Sequence, residues 1–354
     1  MRKKILLTSV ATVMLATALF ATPPYQQNIT ATSQWISSNI ILGDGAILYS
    51  SNRIIPYFAN LGATGMLKDP ARYPQVQGWM RWYINHLNWP DRWGLYGTTY
   101  DYTISGGHEY STGDADSTDS YAGTFLTLAW AYYKTGDYNA QTYVRSIKSQ
   151  LDAIGKVITK TQQSDGLTWA KPDYLIKYLE DNSEAYRGLR DLASLMAALG
   201  DSTKASYYTS AANKMQSGLM SMWIASIGRW AVYKDWYGRF IPPNMGVWYP
   251  DATSQLYPTV YGVVSPTDAH STWTYYKFNL AWPGWPNLSF NKQDPFPWTI
   301  VGAAAALEGD SGRLNTYFTN LEYKYVNHYF PWPWYCMEAG FFMRSNSQML
   351  GKGF

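Results

Sequence analysis

GDADSTDSYAGTFLTLAWAYYKTGD occupies residues 113–137. It sets two carboxylates, Asp116 and Asp119, three residues apart at the head of an apolar run with helical spacing. Three residues make about one helical turn, so the two side chains share neighbouring surface. Asp119 continues the row Ala122, Phe125/Leu126, Ala129, which is the face expected to be buried. An acid at the end of a core row points toward an interior or a cleft mouth. Asp116 fits the N-cap position, and a cap needs no function.

The pattern recurs along the chain. Gly94-Leu95 is followed by Asp101-Tyr102, and Gly166-Leu167 by Asp173-Tyr174, with the same internal spacing. Downstream come Asp116, Asp119, Tyr121 and Gly123 in the first copy, and Asp181, Glu184, Tyr186 and Gly188 in the second, again equally spaced. Each copy runs through an apolar helix to a Gly-Asp turn, Gly136-Asp137 and Gly200-Asp201, and a third such turn is Gly309-Asp310. Outer helices are expected over 138–159 and 202–224, and an Ala-rich inner helix over 298–307. Before the first copy, 53–67 and 73–87 form a helical hairpin, with Pro56 in the first turn of its leading helix. Residues 22–38 are polar and read as a linker leading into a short helix.

The repeating unit is therefore loop, inner helix, tight turn, outer helix. Units of about 55 to 70 residues divide the chain into roughly six, which closed on themselves make an all-α (α/α)6 toroid spanning 22–354 as one domain. An open solenoid fits the long unequal loops poorly. Those loops, 89–110, 169–178, 230–248, 273–298 and 329–335, carry the aromatics to one rim. Long aromatic loops on a helical scaffold are where function usually resides.

Composition narrows the function. The chain has 354 residues, and residues 1–21 have the form of a signal peptide: Arg2, Lys3 and Lys4, then an apolar stretch, then Ala16-Thr17-Ala18 or Leu19-Phe20-Ala21 as cleavage site. Secretion is the expectation, with no stable membrane insertion after cleavage. Removing the three cations takes the basic count from 28 to 25, against 25 acids, so the mature chain is near neutral. That argues against nucleic acid and against an electrostatic membrane-surface role. A lone cysteine, Cys336, excludes an internal disulfide framework, so stability must come from a large core. Aromatics are 17% of residues against 15% charged, with 17 Trp and 31 Tyr. Rings beyond what a core takes suit stacking on sugar faces.

In a toroid the acids of the two copies converge on one end of the cleft. Glycosidic hydrolysis requires one carboxylic acid to protonate the leaving oxygen and one carboxylate to activate water or attack carbon. Crowding acids among rings raises the pKa of at least one, which keeps a proton donor near neutral pH. Asp44 is read as the acid and Asp119 or Asp181 as the base. Asp101, Asp116, Asp173 and Glu184 orient hydroxyls, Trp93, Tyr100, Tyr121, Trp169, Trp248 and Trp334 form stacking subsites, and Lys171 and Tyr178 line the cleft. The competing reading of the acids is helix caps, or structural pairs with Arg92, Lys171 or Lys177.

The Asp-x-x-Asp-Ser-Tyr-Ala of Asp116 to Ala122, the hairpin repeat and the signal peptide together resemble the six-hairpin glycosidase superfamily. Within it the chain is similar to the family 8 endo-glucanase/chitosanase group, where an Asp-rich segment opens an inner helix and runs into Tyr-Ala-Leu-Leu. Here Tyr121-Ala122 precedes Phe125-Leu126, with the acids slightly displaced. That group carries a catalytic Glu in a Ser-Glu-Gly turn before the first inner helix, where this chain has Gly43-Asp44-Gly45. The resemblance implies an inverting, single-displacement hydrolase of polysaccharides, acting without cofactor.

Two other functions stay open on residues alone. A polysaccharide lyase would use a Tyr or His base with a charge-neutralising cation, such as Lys171 with Tyr174 or Tyr178, though the near-neutral charge argues against an anionic substrate. A non-catalytic glycan-binding or envelope-assembly protein is the other. His86, His108, His270 and His328 have no paired metal spacing, so no metal is expected. No phosphate-cradling Gly loop or Gly-x-Ser-x-Gly elbow occurs. The partner expected is a carbohydrate, met by a monomer.

Overall fold

Six inner helices stand side by side in a closed ring, each returning through an outer helix. This is a computed structural model, and it describes residues 24–290 and 294–354. The expected signal peptide lies outside the described residues. In chain order the first half runs α1 (Tyr25–Asn39), β1 (Arg53–Ile54), α2 (Pro56–Met66), α3 (Tyr73–Asn85), β2 (Tyr102–Ser105), β3 (His108–Ser111), α4 (Thr118–Tyr133), α5 (Tyr138–Ser146) and α6 (Lys148–Thr161). The second half runs β4 (Lys177–Tyr178), α7 (Leu179–Ala198), α8 (Ser202–Met220), β5 (Trp223–Ile224), β6 (Arg229–Trp230), β7 (Tyr233–Lys234), β8 (Phe240–Ile241), α9 (Tyr257–Val260), α10 (Ala269–Ala281), α11 (Thr299–Leu307), α12 (Ser311–Lys324) and α13 (Cys336–Met349). The inner ring follows from the helix contacts: α2 touches α4, α4 touches α7, α7 touches α9, α9 touches α11, α11 touches α13, and α13 returns to α2. The all-α toroid with six inner helices is therefore the fold.

Glycine makes the ring tight. A Cβ on Gly188 would lie 2.5 Å from the Cα of Gly123, so α4 and α7 meet backbone to backbone. Where the ring closes, a Cβ on Gly65 would stand 2.5 Å from the carbonyl oxygen of Gly340, which brings α2 and α13 equally close. Gly123 and Gly188 are equivalent positions of the sequence repeat. The repeat is thus partly the signature of this contact.

Within the stretch expected to be a linker, the described residues 24–38 do not form one. They contain α1, whose buried row Tyr25, Asn28, Ile29, Thr32, Ser33 and Ile36 follows helical spacing. Its polar residues hid that stripe, because Asn28, Thr32 and Ser33 are buried by hydrogen bonding and packing. Asn28 donates to Glu322 at 2.7 Å and to Asn346 at 3.1 Å, and the Tyr25 hydroxyl donates to Asn315 at 2.7 Å. The first helix so becomes the outer partner of the last inner helix and closes the ring. Other departures are local. The outer helix over 138–159 is broken into α5 and α6, the one over 202–224 ends at Met220, and Trp273 sits within α10 rather than in a loop. The fourth inner helix is reduced to a wide helical turn at Trp248–Ala252 and the four residues of α9.

Two small sheets brace the rim. In one, β2 pairs with β1 and β3, with Tyr102 opposite Ile54 and Ser111, which holds the preceding Asp101 near the ring mouth. In the other, β7 pairs with β4 and β8. Because β4 leads directly into α7, this sheet sets where the acids of α7 begin. Lys177 and Lys234 lock it by both reaching Asp165, at 2.7 and 2.9 Å. No helix among the described residues is long and apolar enough to cross a membrane.

Candidate active site

The starts of all six inner helices meet around one cavity of about 500 Å³. Asp116 comes from the segment just before α4, α4 itself contributes Ser120 and Tyr121, and α7 contributes Glu180 and Asp181. The opposite wall holds Asp294, Phe296, Trp298 and Tyr335, while Tyr57, Tyr249 and Tyr257 close the sides. Helix N-termini carry partial positive charge, which favours carboxylates gathered there. A wider surface groove of about 800 Å³ between Trp223 and Tyr276 has no carboxylate among its lining residues, so it lacks the groups for acid–base chemistry.

Asp181 stands at the centre of the acids. Burial pushes its carboxyl well above the usual range, and Asp119, Glu184, Asp116 and Glu180 add to the push. Yet it lines the cavity and is only half-buried, so it can meet a ligand. Glu180 is raised in the same way, by burial and then by Glu184, and its Oε1 has no hydrogen-bond partner among the described residues. Asp101 is pushed up to about 6 by burial, against the lowering effect of the Tyr121 hydroxyl, which donates to it at 2.7 Å, and of Arg53 at 3.9 Å. Asp116 is exposed in the cavity, and its carboxylate has no side-chain donor among the described residues. It is not the N-cap of α4, a position held by Ser117.

Behind these lie acids that support rather than touch. Asp119 is fully buried; its Oδ2 accepts from Thr168 at 2.5 Å, and burial lifts it to about 7. Glu184 accepts from the hydroxyls of Tyr57 at 2.6 Å and Tyr261 at 2.8 Å, and burial raises it to about 8. Glu338 accepts the backbone N–H of Trp298 at 3.1 Å and of Thr299 at 2.7 Å, with the Thr299 hydroxyl also at 2.7 Å. It thereby holds Trp298 in the left-handed region, φ 55°, which costs a non-glycine residue on the order of 1 kcal/mol. Asp294 accepts from the Trp298 indole at 2.8 Å, so both ends of this residue are fixed at the cavity wall.

Of the residues singled out in the sequence, Asp101, Asp116, Tyr121 and Asp181 line the cavity, with Asp119 and Glu184 just beneath. Asp44 does not join them. Its turn docks on α3, where Gly45 lies against Gly78 so closely that a Cβ would come within 2.6 Å of backbone, and Asp44 is exposed with its Oδ1 accepting from Ala46 N–H. Trp93, Tyr100, Lys171 and Asp173 fall outside the lining and gather around Arg92. The Arg92 guanidinium lies 3.2 Å from Asp114 and Asp173 and over the Trp93 ring, the Arg92 backbone N–H donates to the Tyr100 hydroxyl, and Lys171 reaches the same Asp114. Trp169 and Tyr178 are half-buried beside α7, where the Tyr178 hydroxyl bonds that of Tyr174. Trp248 and Trp334 are not platforms: Phe290 stacks on Trp248, and Tyr325, Phe330 and Phe342 surround Trp334 in the core.

Glu180, Tyr57, Tyr249, Asp294 and Trp298 are not singled out by the sequence. Glu180 adjoins Asp181 and is within reach of sequence reasoning, but the three-residue spacing draws attention to Asp181 and Glu184. Nothing local marks Asp294 or Tyr249, which reach the site only through ring closure. Among the described residues no group of three or more His, Cys, Asp or Glu side chains is arranged to hold a metal ion.

No protein-family model and no curated protein sequence matches the chain. Solved structures match it in shape. A GH63 mannosylglycerate hydrolase from Thermus thermophilus, in complex with glucose, aligns at TM-score 0.63 and 12% identity over 90% of this chain and 98% of its own. A wild-type glycosidase aligns at TM-score 0.64 and 12% identity, covering 93% and 98%. A variant glycosidase in complex with glucose gives TM-score 0.65, 12% identity, and the same coverage. At that identity the likeness is one of fold, and it agrees with the closed ring of helical hairpins described above. The neighbour named by family is GH63; the narrower likeness to family 8 gains no support from it.

Proposed function

We propose that this protein is a secreted, monomeric glycoside hydrolase that works by inversion, with Asp181 as proton donor and Asp116 as the carboxylate that activates water. The observation that carries the reading is a cavity at the ring mouth lined by Asp101, Asp116, Glu180, Asp181 and Asp294 together with aromatic faces. Burial and crowding both favour the protonated form of Asp181, the form that donation to a leaving oxygen requires. The free carboxylate of Asp116, near enough for its charge to act on Asp181, suits a water held against the far face of the sugar. Asp101, fixed by Tyr121 and Arg53, would bind hydroxyls, and Trp298 would stack on the ring. That neighbours of the same fold are glycosidases, two of them holding glucose, makes glucosides and mannosides the first substrates to try.

The lyase reading is disfavoured at the same place. Arg53 is the one cation among the lining residues, against five carboxylates, so a uronic acid would meet like charge. Reducing-end release over a panel of glycans, with the product anomer read by NMR, tests the proposal. Asp181→Asn and Asp116→Asn should each lower turnover by about a hundredfold or more, the scale of losing an acid or base. Unchanged turnover in both variants would sink the assignment, and a retained anomer would replace inversion with a covalent route.

A further inference from the structure

A second cavity, also about 500 Å³, lies at the opposite end of the ring from the acids. It is lined by the later turns of the inner helices: Thr64 of α2, Thr127 and Ala131 of α4, Asp191 of α7, and Arg344 and Ser347 of α13. Its charge is reversed. Lys68, Lys134, Arg187, Arg344 and Lys352 face it, and Asp191 is the single side-chain carboxylate among the lining residues.

Most of these cations are accounted for locally. Arg187 pairs with Asp191 at 2.8 Å, Lys68 donates to the Gly353 carbonyl at 3.1 Å, and Lys352 to Gln26 at 2.8 Å. Lys68 and Lys134 also sit just beyond the C-terminal ends of α2 and α4, where the helix dipole favours positive charge. Arg344 has none of this. It lies within α13, is only 8% exposed, and no carboxylate or carbonyl among the described residues accepts from its guanidinium. Its contacts are the rings of Phe354 at 3.9 Å and Phe341 at 5.4 Å, neither of which accepts a conventional hydrogen bond from its N–H groups.

A buried cation without a partner is costly, and proteins retain one where something completes it. The neighbourhood shows the same deficit. Burial, then Arg344 and Lys134, pull Lys68 down to about 8, and burial lowers Arg344 to about 10. An oxyanion would reverse that repulsion, with the planar edge of Arg344 offering paired donors and Lys134 and Lys68 closing from the side.

We propose that this cavity is a binding site for a small oxyanion of the phosphate or sulfate class, held by Arg344, Lys134 and Lys68 at the end of the ring remote from the acidic cleft. The site is independent of the glycosidase reading, since it shares no residue with the cleft. Binding to the folded state alone raises stability in proportion to saturation. The thermal midpoint of the full chain should therefore rise saturably with inorganic phosphate, and with sulfate, when sodium chloride holds ionic strength constant. Lys134→Gln, at an exposed position, should weaken the apparent affinity about tenfold, the loss of one charge-assisted hydrogen bond. Arg344→Met should abolish the response. If Arg344→Met does not fold, Lys134→Gln decides alone. A midpoint that responds no more to phosphate than to chloride, or a response undiminished in Lys134→Gln, would overturn the proposal.

Discussion

Asp181 and Asp44 separate what a carboxylate is from where it sits. Both are aspartates before or at an inner helix, and the sequence favours Asp44 as the proton donor because it occupies the turn where a related group carries its acid. The structure leaves Asp44 exposed and away from the cavity, with its Oδ1 accepting from the Ala46 N–H and Glu109 as its carboxylate neighbour. Asp181 has the reverse: burial first, then four neighbouring carboxylates, each opposing its ionisation. Asp44→Asn should thus leave glycan turnover within about twofold of wild type, while Asp181→Asn removes most of it. The pH profile carries a further sign. A donor raised above the ordinary carboxylate range keeps its proton into neutral solution, so activity should persist at neutral pH and fall on the alkaline side. Turnover confined to acid below the ordinary carboxylate range would contradict Asp181 as donor.

Inner helices are placed by contacts that side chains would prevent, and their starts are placed by buried acids. At Gly188 two effects oppose each other in a substitution by alanine. Helix propensity gains about 1 kcal/mol. The new Cβ, however, would stand 2.5 Å from Gly123 Cα, which is backbone and cannot rotate away, and overpacking of that kind costs about 1–3 kcal/mol. Steric cost should win, so Gly188→Ala is expected to lower the denaturation midpoint; an unchanged or raised midpoint would show that α4 and α7 can slide apart. Glu338 acts on the start of α11. Replacing it with alanine strands the N–H groups of Trp298 and Thr299 inside the protein, at about 2 kcal/mol for the pair, while the Thr299 hydroxyl keeps the backbone carbonyl of residue 338 as acceptor. Trp298 should then leave its left-handed conformation, so Glu338→Ala is expected to lose near-ultraviolet circular dichroism and to raise KM. Elements of this kind were legible in different degrees. The pairs Asp116/Asp119 and Asp181/Glu184, with Gly123 and Gly188, could be read because identical helix contacts repeat at identical spacing. α1 was not, because Thr32 and Ser33 are buried by packing that no hydropathy pattern records. Nor was the wall of Asp294, Tyr249 and Trp298, since residues more than a hundred positions from Asp116 and Asp119 meet them only when the ring closes.

A ring of carboxylates gathered at one mouth sets how the whole molecule answers to pH. In the folded state Asp101 is lifted to about 6, Asp119 and Glu338 to about 7, and Glu184 to about 8, in each case chiefly by burial. A group raised on folding contributes stability that is fully present below its unfolded pKa, near 4, and is lost as pH rises through the folded value. These acids therefore stabilise the protein in mild acid and cease to do so between about pH 6 and 8. The paired aspartates Asp152, Asp165 and Asp310 are lowered, with lysine or arginine partners overcoming burial, so their contribution is present above about pH 4 and vanishes in stronger acid. Together the two sets put the stability maximum between about pH 4 and 6. The thermal midpoint should be higher at pH 5 than at pH 8, and a midpoint equal or higher at pH 8 would mean that the raised acids ionise without cost. Glu184 isolates the cause. Its Oε1 accepts from Tyr57 and Tyr261 while its Oε2 has no partner among the described residues, so glutamine reproduces the protonated side chain in shape and charge. Glu184→Gln should leave the midpoint at pH 5 almost unmoved and raise it at pH 8. A variant that instead lost stability equally at both values would show that Glu184 contributes through its hydrogen bonds alone and not through its proton.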